Sequence, residues 1–165
     1  MSKMHFHYIV PGDDFTRAGE ASSSVKKKLK QLGYDPDATR RVAIAMYEGE
    51  INMVIHAGGG EIDVDVSPAQ VDVVMADQGP GIADVEKAMQ EATPPRRITS
   101  GSLGFGAGMG LPNIKKYSDD MRIDTETGKR HHQCYFSVFP KNSTQGGLVP
   151  PALSRGRLDD NLTIT

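Results

Sequence analysis

Apolar and polar residues alternate with the period of a β-strand in several separate parts of this chain. Residues 4–10 show this alternation, as do two pairs of segments, 61–67 with 70–77 and 121–126 with 132–139. Alternate side chains of a strand point to opposite faces, so each segment is expected to bury one face only. Short polar connections join the members of each pair, which predicts two antiparallel hairpins.

Helical periodicity is strongest between the first strand and the first hairpin. One helix is expected to follow an aspartate cap and to span about residues 13–32. A second helix is expected to begin at Pro36, with Asp35 as its cap, and to end at the glycines 58–60. Early helices and hairpin-paired strands predict an α+β fold, a two-layer sandwich with a mixed, mostly antiparallel sheet and helices on one face.

The remaining segments are shorter or less regular. Short helices are predicted over residues 84–91 and 111–118, and the glycine- and proline-rich stretch 92–110 between them is long enough to be a functional lid. Residues 1–140 are therefore expected to form one domain. Residues 141–165 are rich in glycine, proline and polar residues, which predicts a tail with partial disorder.

Composition narrows the function classes. The chain has 165 residues, 38% of them hydrophobic, which is enough for one core, and its net charge of -2 gives no reason to expect a nucleic acid or an anionic membrane as a partner. Cys134 is the only cysteine, which excludes an internal disulfide and fits a reducing compartment. No segment has the roughly 20 apolar residues that cross a bilayer, so a cytoplasmic protein is expected.

Three polar or glycine-rich motifs stand out from this ordinary pattern: Glu48 with Asn52, the segment 77–82, and the segment 104–110. The last of these is not a dinucleotide fingerprint, because Met109 breaks the G-x-G-x-x-G pattern. It is not a Walker loop either, because no Gly-Lys-Ser/Thr follows it. Together the three motifs predict a nucleotide site of another kind.

The first motif combines an acid with an amide one helical turn away. Four residues recur on one face of this helix: Ile44, Glu48, Ile51 and Ile55. In such an apolar stripe Glu48 could serve as a general base, with Asn52 as an oxygen ligand of magnesium. The periodicity leaves open that Glu48 and Glu50 lie in solvent at the helix edge, and that His56 only ends the helix instead of contacting phosphate.

The two glycine motifs suit the two ends of a nucleotide. Asp77 follows a predicted strand, where its carboxylate could accept a hydrogen bond from the exocyclic amine of adenine while Gly79 and Gly81 let the base approach the backbone. Guanine presents an acceptor at that position, so it would be rejected. Backbone N–H groups of segment 104–110 could cradle phosphates. Taken singly, these motifs also fit an ordinary turn and a flexible linker, and it is their joint occurrence that favours a nucleotide site.

In this order the motifs resemble those of a known family. Glu48-x-x-x-Asn52, His56-Ala57, Asp77-x-Gly-x-Gly-Ile82 and Gly108-Met-Gly-Leu111 are similar to the signature of the Bergerat ATP-binding fold, which gyrase, histidine-kinase and heat-shock-chaperone ATPases share. The resemblance covers about residues 4–140. It is greatest to the small stand-alone serine/threonine kinases that act as anti-sigma factors.

The resemblance implies ATP and Mg²⁺ as cofactors, with Asn52 on the metal, Asp77 on adenine and Glu48 as catalytic base. The cofactor-binding residues that it implies are Asn52, His56, Asp77, Gly79, Gly81, Ile82, Gly104, Gly106, Gly108, Met109, Gly110 and Leu111. It further implies a protein kinase that phosphorylates a small antagonist protein and thereby controls a second partner, such as a sigma factor. Homodimers are common in the family.

Two features depart from the family pattern. The family often has a threonine near the adenine in its late strand, where this chain has Arg130-His-His-Gln-Cys134. The tail after Phe139 is also outside the usual pattern.

A rival interpretation is a non-catalytic, ATP-gated protein-binding module, in which the nucleotide orders the lid without phosphotransfer. Glu48 favours the enzyme.

Overall fold

A computed structural model describes residues 2–79, 89, 110–125, 131–141 and 162–164 of the chain. These residues form one six-stranded sheet in the order β1-β2-β3-β5-β4-β6. Its strands are β1 (Met4–Pro11), β2 (Gly59–Val66), β3 (Val71–Asp77), β4 (Asp120–Asp124), β5 (His132–Val138) and β6 (Leu162–Ile164). Neighbouring strands are antiparallel except β4 and β6, which are parallel. The predicted mixed, mostly antiparallel sheet and both hairpins are thus confirmed.

The helices whose full range the structure describes are α1 (Glu20–Gln31), α2 (Pro36–Asn52) and α3 (Gly110–Tyr117). The start of α2 is as predicted, because the Asp35 carboxylate accepts a hydrogen bond from the Ala38 N–H at 2.9 Å. Beyond Asn52 the helix widens into a π-helical turn, Met53–Ala57, before the chain enters β2. Such turns are common where a helix carries functional groups.

The core lies between the helices and one face of the sheet. Alternate residues of β2 and β3, such as Ile62 and Val73, are buried on that face, and each contributes about 1.5–3 kcal/mol by leaving water. The residues between them point to the other face, where His7 Nδ1 and Asp63 Oδ1 of neighbouring strands lie 2.7 Å apart. This alternation confirms the prediction that the helices cover one face only.

The first predicted helix is interrupted. Asp14 caps a short 3-10 turn, Phe15–Arg17, by accepting the Thr16 N–H at 2.9 Å. Gly19 then takes a left-handed conformation with φ 97°, so α1 begins only at Glu20. The prediction of one continuous helix over 13–32 was therefore wrong at its start, although the helix ends as expected before Gly33.

The apolar stripe predicted on α2 was also wrong. Ile55 is 44% exposed, and Ile44, Glu48 and Ile51 are only half-buried. The buried face carries smaller residues as well as large ones: Ala38, Val42, Ala45, Met46, Gly49 and Met53. Small residues let the helix approach the sheet closely, and this packing outweighs the size of the isoleucine side chains.

Several predicted segments lie outside the described residues. They are the lid over 92–109, most of the short helix over 84–91, and positions 142–161 of the tail. Near the end of the chain, Leu162–Ile164 pairs with Met121–Ile123 of β4, a strand that the sequence did not predict. Among the helices that the structure describes, none has both the length and the apolar character needed to cross a membrane.

Candidate nucleotide site

A cavity of about 390 Å³ opens between α2, the start of α3 and the adjoining ends of β3, β4 and β5. Its lining residues come from five elements that are distant in sequence: Gly49, Asn52, Met53, His56, Ala57, Met75, Asp77, Gly110, Leu111, Ile114, Ile123, Asp124, Thr125, His132, Gln133 and Cys134. Most of this wall is apolar, and a few polar groups converge on it. That combination is typical of a site for a small organic ligand.

The floor of the cavity depends on Gly49, a residue without a side chain. A Cβ atom at Gly49 would lie 2.1 Å from Sδ of Met75, so only glycine lets the thioether lie directly against α2. Met75 is itself buried, and Ile114 and Ile123 line the same cavity. These side chains form an apolar surface, against which a planar base can pack.

Asp77 is the last residue of β3 and faces this cavity. Its Oδ1 accepts a hydrogen bond from the Gly79 N–H at 2.9 Å, which closes a tight turn. The other carboxylate oxygen accepts no hydrogen bond from any residue that the structure describes. It is therefore available to accept the exocyclic amine of a base that lies on the apolar floor.

His132 on β5 is a site residue that the sequence analysis did not assign. It is only 4% exposed and is paired in register with Asp77. Its Nε2 lies 2.8 Å from the Gly79 carbonyl oxygen, and its Nδ1 lies 3.0 Å from Thr125 Oγ1. The histidines that stand at residues 130–134 in place of the family's late-strand threonine were the available sequence signal. The register that places His132 beside Asp77 could not be read from one strand alone.

Asn52 also lines this cavity, at the point where α2 meets the first residue of α3. A Cβ atom at Gly110 would lie 2.5 Å from Asn52 Nδ2, so the amide packs directly on the Gly110 backbone. His56 and Leu111 line the cavity nearby. The structure thus brings together the described members of the first and third motifs. Six other predicted site residues lie outside its described part: Gly81, Ile82, Gly104, Gly106, Gly108 and Met109.

Glu48 lies one turn before Asn52 but does not line the cavity. It is half-buried, and its Oε1 accepts a hydrogen bond from Asn113 Nδ2 of α3 at 3.2 Å. Its carboxylate therefore stands at the border between the helix and solvent, next to the Asn52 end of the cavity.

Glu50 is the deeply buried acid of this helix, with 1% exposure. Its two oxygens accept the N–H groups of Gly19 at 2.6 Å and Ser22 at 2.5 Å, so it caps the start of α1 from a different helix. The alternative in which Glu50 lies in solvent was wrong. Its partners lie about 30 positions earlier in the chain, and no local pattern predicts them.

No group of three or more histidine, cysteine or acidic side chains is placed to hold a metal in the described ranges. Asn52 nevertheless offers a hard amide oxygen at the cavity wall, which fits a magnesium ion that takes most of its other ligands from phosphate and water. The donor chemistry therefore fits a metal that enters together with a nucleotide.

Cys134 gives a direct test of the cavity wall. Burial raises the pKa of its thiol from 9.0 to about 12, and the negative charge of Asp77 adds to this effect. At pH 8 we therefore expect the native protein to react with iodoacetamide about 100- to 1000-fold more slowly than the urea-unfolded chain, because only the thiolate reacts. Mass spectrometry over time measures both rates at this single cysteine. Equal rates would contradict the raised pKa of the thiol.

An α+β domain with a largely apolar cavity between a long helix and the ends of antiparallel strands has the architecture of the histidine kinase-like ATPases. The family model of the histidine kinase-like ATPase domain matches residues 13–132, and the chain belongs to that family. The ATP-binding fold predicted from the motifs is thereby confirmed.

Two relatives are similar over most of their length. The serine/threonine-protein kinase RsbT of Bacillus subtilis (strain 168) is 31% identical over 104 residues, which cover 61% of this chain and 72% of RsbT. The anti-sigma F factor of Pasteuria penetrans is 28% identical over 127 residues, which cover 70% of this chain and 81% of that protein. These similarities support the anti-sigma kinase branch of the family.

Among solved structures, the SiaB-SiaC complex from Pseudomonas aeruginosa contains a chain with a similar fold. The TM-score is 0.50 at 11% sequence identity, and the match covers 81% of this chain and 88% of that one. At this identity the likeness concerns the fold alone.

Proposed function

We propose that the protein is a Mg·ATP-dependent protein serine/threonine kinase of the anti-sigma type, which transfers the γ-phosphate to a small antagonist protein. One observation carries the proposal: Glu48 and Asn52 lie one turn apart on α2, with Asn52 inside the cavity and Glu48 just outside it. Phosphates that approach Asn52 and a hydroxyl that approaches from solvent would meet at this turn of the helix.

The polar groups set the orientation of the nucleotide. Asp77 suits the exocyclic amine of adenine, and Asn52 with the Gly110 backbone suits the phosphates at the other end. Gly110 is the first residue of α3, and the N–H groups at a helix start favour anions. The segment 104–109 leads directly into this helix, which supports its proposed role at the phosphates.

The surroundings of Glu48 favour a protein as the acceptor. Tyr47, the neighbour of Glu48 in α2, is 40% exposed, and Ile55 in the following π-helical turn is 44% exposed, while Ile44 and Ile51 are half-buried. Apolar side chains in water around a reactive carboxylate suit a protein surface better than a small hydrophilic alcohol. The names of the relatives, a serine/threonine kinase and an anti-sigma factor, support the same class of partner.

The proposed reaction is an in-line phosphoryl transfer. Glu48 takes the proton of the acceptor hydroxyl, the hydroxyl oxygen bonds to the γ-phosphorus, and the bond to the β–γ bridging oxygen breaks to release ADP. Asn52 would hold a magnesium ion, which would neutralise charge at the phosphates. In this proposal the protein acts in the cytoplasm, a sigma factor is its second partner, and it works as a homodimer.

Glu48→Gln tests the proposal. Wild-type protein should gain roughly 2.7 kcal/mol of stability at about 100 times the dissociation constant of Mg·ATP, a shift of several degrees, and much less with Mg·GTP or with ATP and a chelator. The variant should keep this shift and lose phosphotransfer to the antagonist protein by about 10²- to 10⁴-fold, because it cannot accept the proton. Radiolabelled ATP measures transfer, and Glu61→Gln, an exposed acid on β2, is the matched control.

Three outcomes would change the conclusion. Undiminished transfer by Glu48→Gln would remove Glu48 from the role of base. Binding of ATP by the wild type without transfer to any antagonist protein would support the ATP-gated binding module. The absence of a thermal shift with every nucleotide would refute the site itself.

A further inference from the structure

His132 connects two elements at the adenine end of the cavity. A carbonyl oxygen can only accept, so the 2.8 Å contact with Gly79 means that His132 Nε2 carries a hydrogen and donates it. In the neutral ring Nδ1 is then an acceptor, and it takes the hydroxyl hydrogen of Thr125 across 3.0 Å. The geometry thus assigns one tautomer to this buried imidazole.

The imidazole completes a continuous chain of hydrogen bonds. Thr125 donates to His132, His132 donates to the Gly79 carbonyl, and the Gly79 N–H donates to Asp77 Oδ1. Both polar groups of the Gly79 backbone are therefore engaged, one by the acid and one by the histidine. The chain begins at the end of β4 and finishes on the carboxylate that faces the base.

We propose that His132 is a positioning residue for base recognition, which holds the Asp77–Gly79 turn so that Asp77 faces the exocyclic amine and selects 6-aminopurine nucleotides. The inference rests on the proposed binding of ATP. It also explains the departure at residues 130–134. The hydroxyl expected from a late-strand threonine comes from Thr125, the residue that follows β4, and the imidazole links this hydroxyl to the turn by hydrogen bonds.

The position of the turn matters because β3 ends at Asp77, so its ladder with β5 does not extend to Gly79. His132 is the one described side chain that bonds the Gly79 carbonyl. Without it the turn keeps, among the described residues, its local bond to Asp77 and the close packing of Gly79 on Ala57, so the direction of the carboxylate is less firmly fixed. A hydrogen bond to a ligand depends strongly on such alignment, whereas apolar packing of the base does not.

The test compares ATP with purine riboside 5′-triphosphate, which lacks the exocyclic amine but keeps the ring and the phosphates. Calorimetric titration of the wild-type protein should give roughly tenfold or more preference for ATP, since the analogue would cover the half-buried Asp77 carboxylate without supplying a donor to its second oxygen. In His132→Ala this preference should fall to about two- or threefold, mainly through weaker ATP binding. His132→Gln should restore most of it, because its Nε2 can donate to Gly79.

His132→Asn is the matched control, since its shorter amide does not reach the Nε2 position and should behave like alanine. Should His132→Ala fail to fold, Thr125→Val removes the hydroxyl at the other side of the ring and should lower the preference by a smaller factor. The melting temperature of each ligand-free variant measures the structural cost separately from the ratio of affinities.

Two results separate the inference from the proposed function. If the wild type binds ATP in preference to the analogue and His132→Ala weakens both ligands equally, His132 only supports the fold and the inference is overturned. If the wild type binds neither triphosphate, the proposed function fails, and the inference fails with it.

Discussion

Replacing Glu50 with alanine should lower the free energy of unfolding by about 3 kcal/mol, since hydrogen bonds to a charged group contribute about 1.5–3 kcal/mol each and buried N–H groups would lose their partner. Glu50 is almost inaccessible, and both of its oxygens bind backbone N–H groups at the start of α1. For a domain of this size the melting temperature should fall by roughly 6 to 12 °C. Urea unfolding followed by circular dichroism measures the change.

The same helix provides the control for this prediction. Glu48 lies two positions earlier, is half-buried, and has the Asn113 side chain as its hydrogen-bond partner. Glu48→Ala should therefore change the free energy of unfolding by less than about 1 kcal/mol. Equal destabilisation by the two alanine substitutions would show that Glu50 does not hold α1 as described.

Replacing Asp77 with asparagine should weaken ATP binding by roughly 10- to 100-fold, which corresponds to the loss of a charge-assisted hydrogen bond. Oδ1 is already engaged by the Gly79 N–H, so the amide of an asparagine would turn its NH₂ group toward the base. Two donors would then face each other where a donor and an acceptor had met. Calorimetric titration with Mg·ATP measures the loss.

Asp124 is the matched control because it also lines the cavity but is exposed at the end of β4. Asp124→Asn removes the same charge and should leave the preference for ATP over GTP unchanged. Unaltered ATP affinity in Asp77→Asn would show that Asp77 does not read the base. An equal loss in both variants would show that the negative charge of the cavity matters instead of a specific hydrogen bond from Asp77.

The features that sequence analysis predicted correctly have local causes. Strand alternation located β2 and β3 to within two residues, since each strand buries one face against the same core. The Asp35-Pro36 pair predicted the start of α2, because a cap and a fixed φ act within a single turn. Asn52 and Asp77 line the cavity because the position of Asn52 on α2 and that of Asp77 at the end of β3 fix the direction of each side chain.

The features that were missed depend on partners distant in sequence. Nothing near Glu50 indicates that the N-terminus of α1 would reach it, so its burial appears only when the two helices pack. His132 is similar: its role depends on the register between β3 and β5. The predicted isoleucine stripe of α2 was wrong for a different reason. Large apolar side chains were expected to face the core, but the close approach of the helix to the sheet requires small residues such as Gly49.

Three consecutive positions of α2 point in three directions: Glu48 toward α3, Gly49 toward Met75, and Glu50 toward the start of α1. Each step along an α-helix turns by about 100°. Inserting one residue between Asp35 and Glu48 would therefore rotate all three away from their partners at once. Homologues that keep this cavity should accordingly differ in loop length while the number of residues from Asp35 to Asn52 stays the same, a rule that aligned sequences can check without any structure.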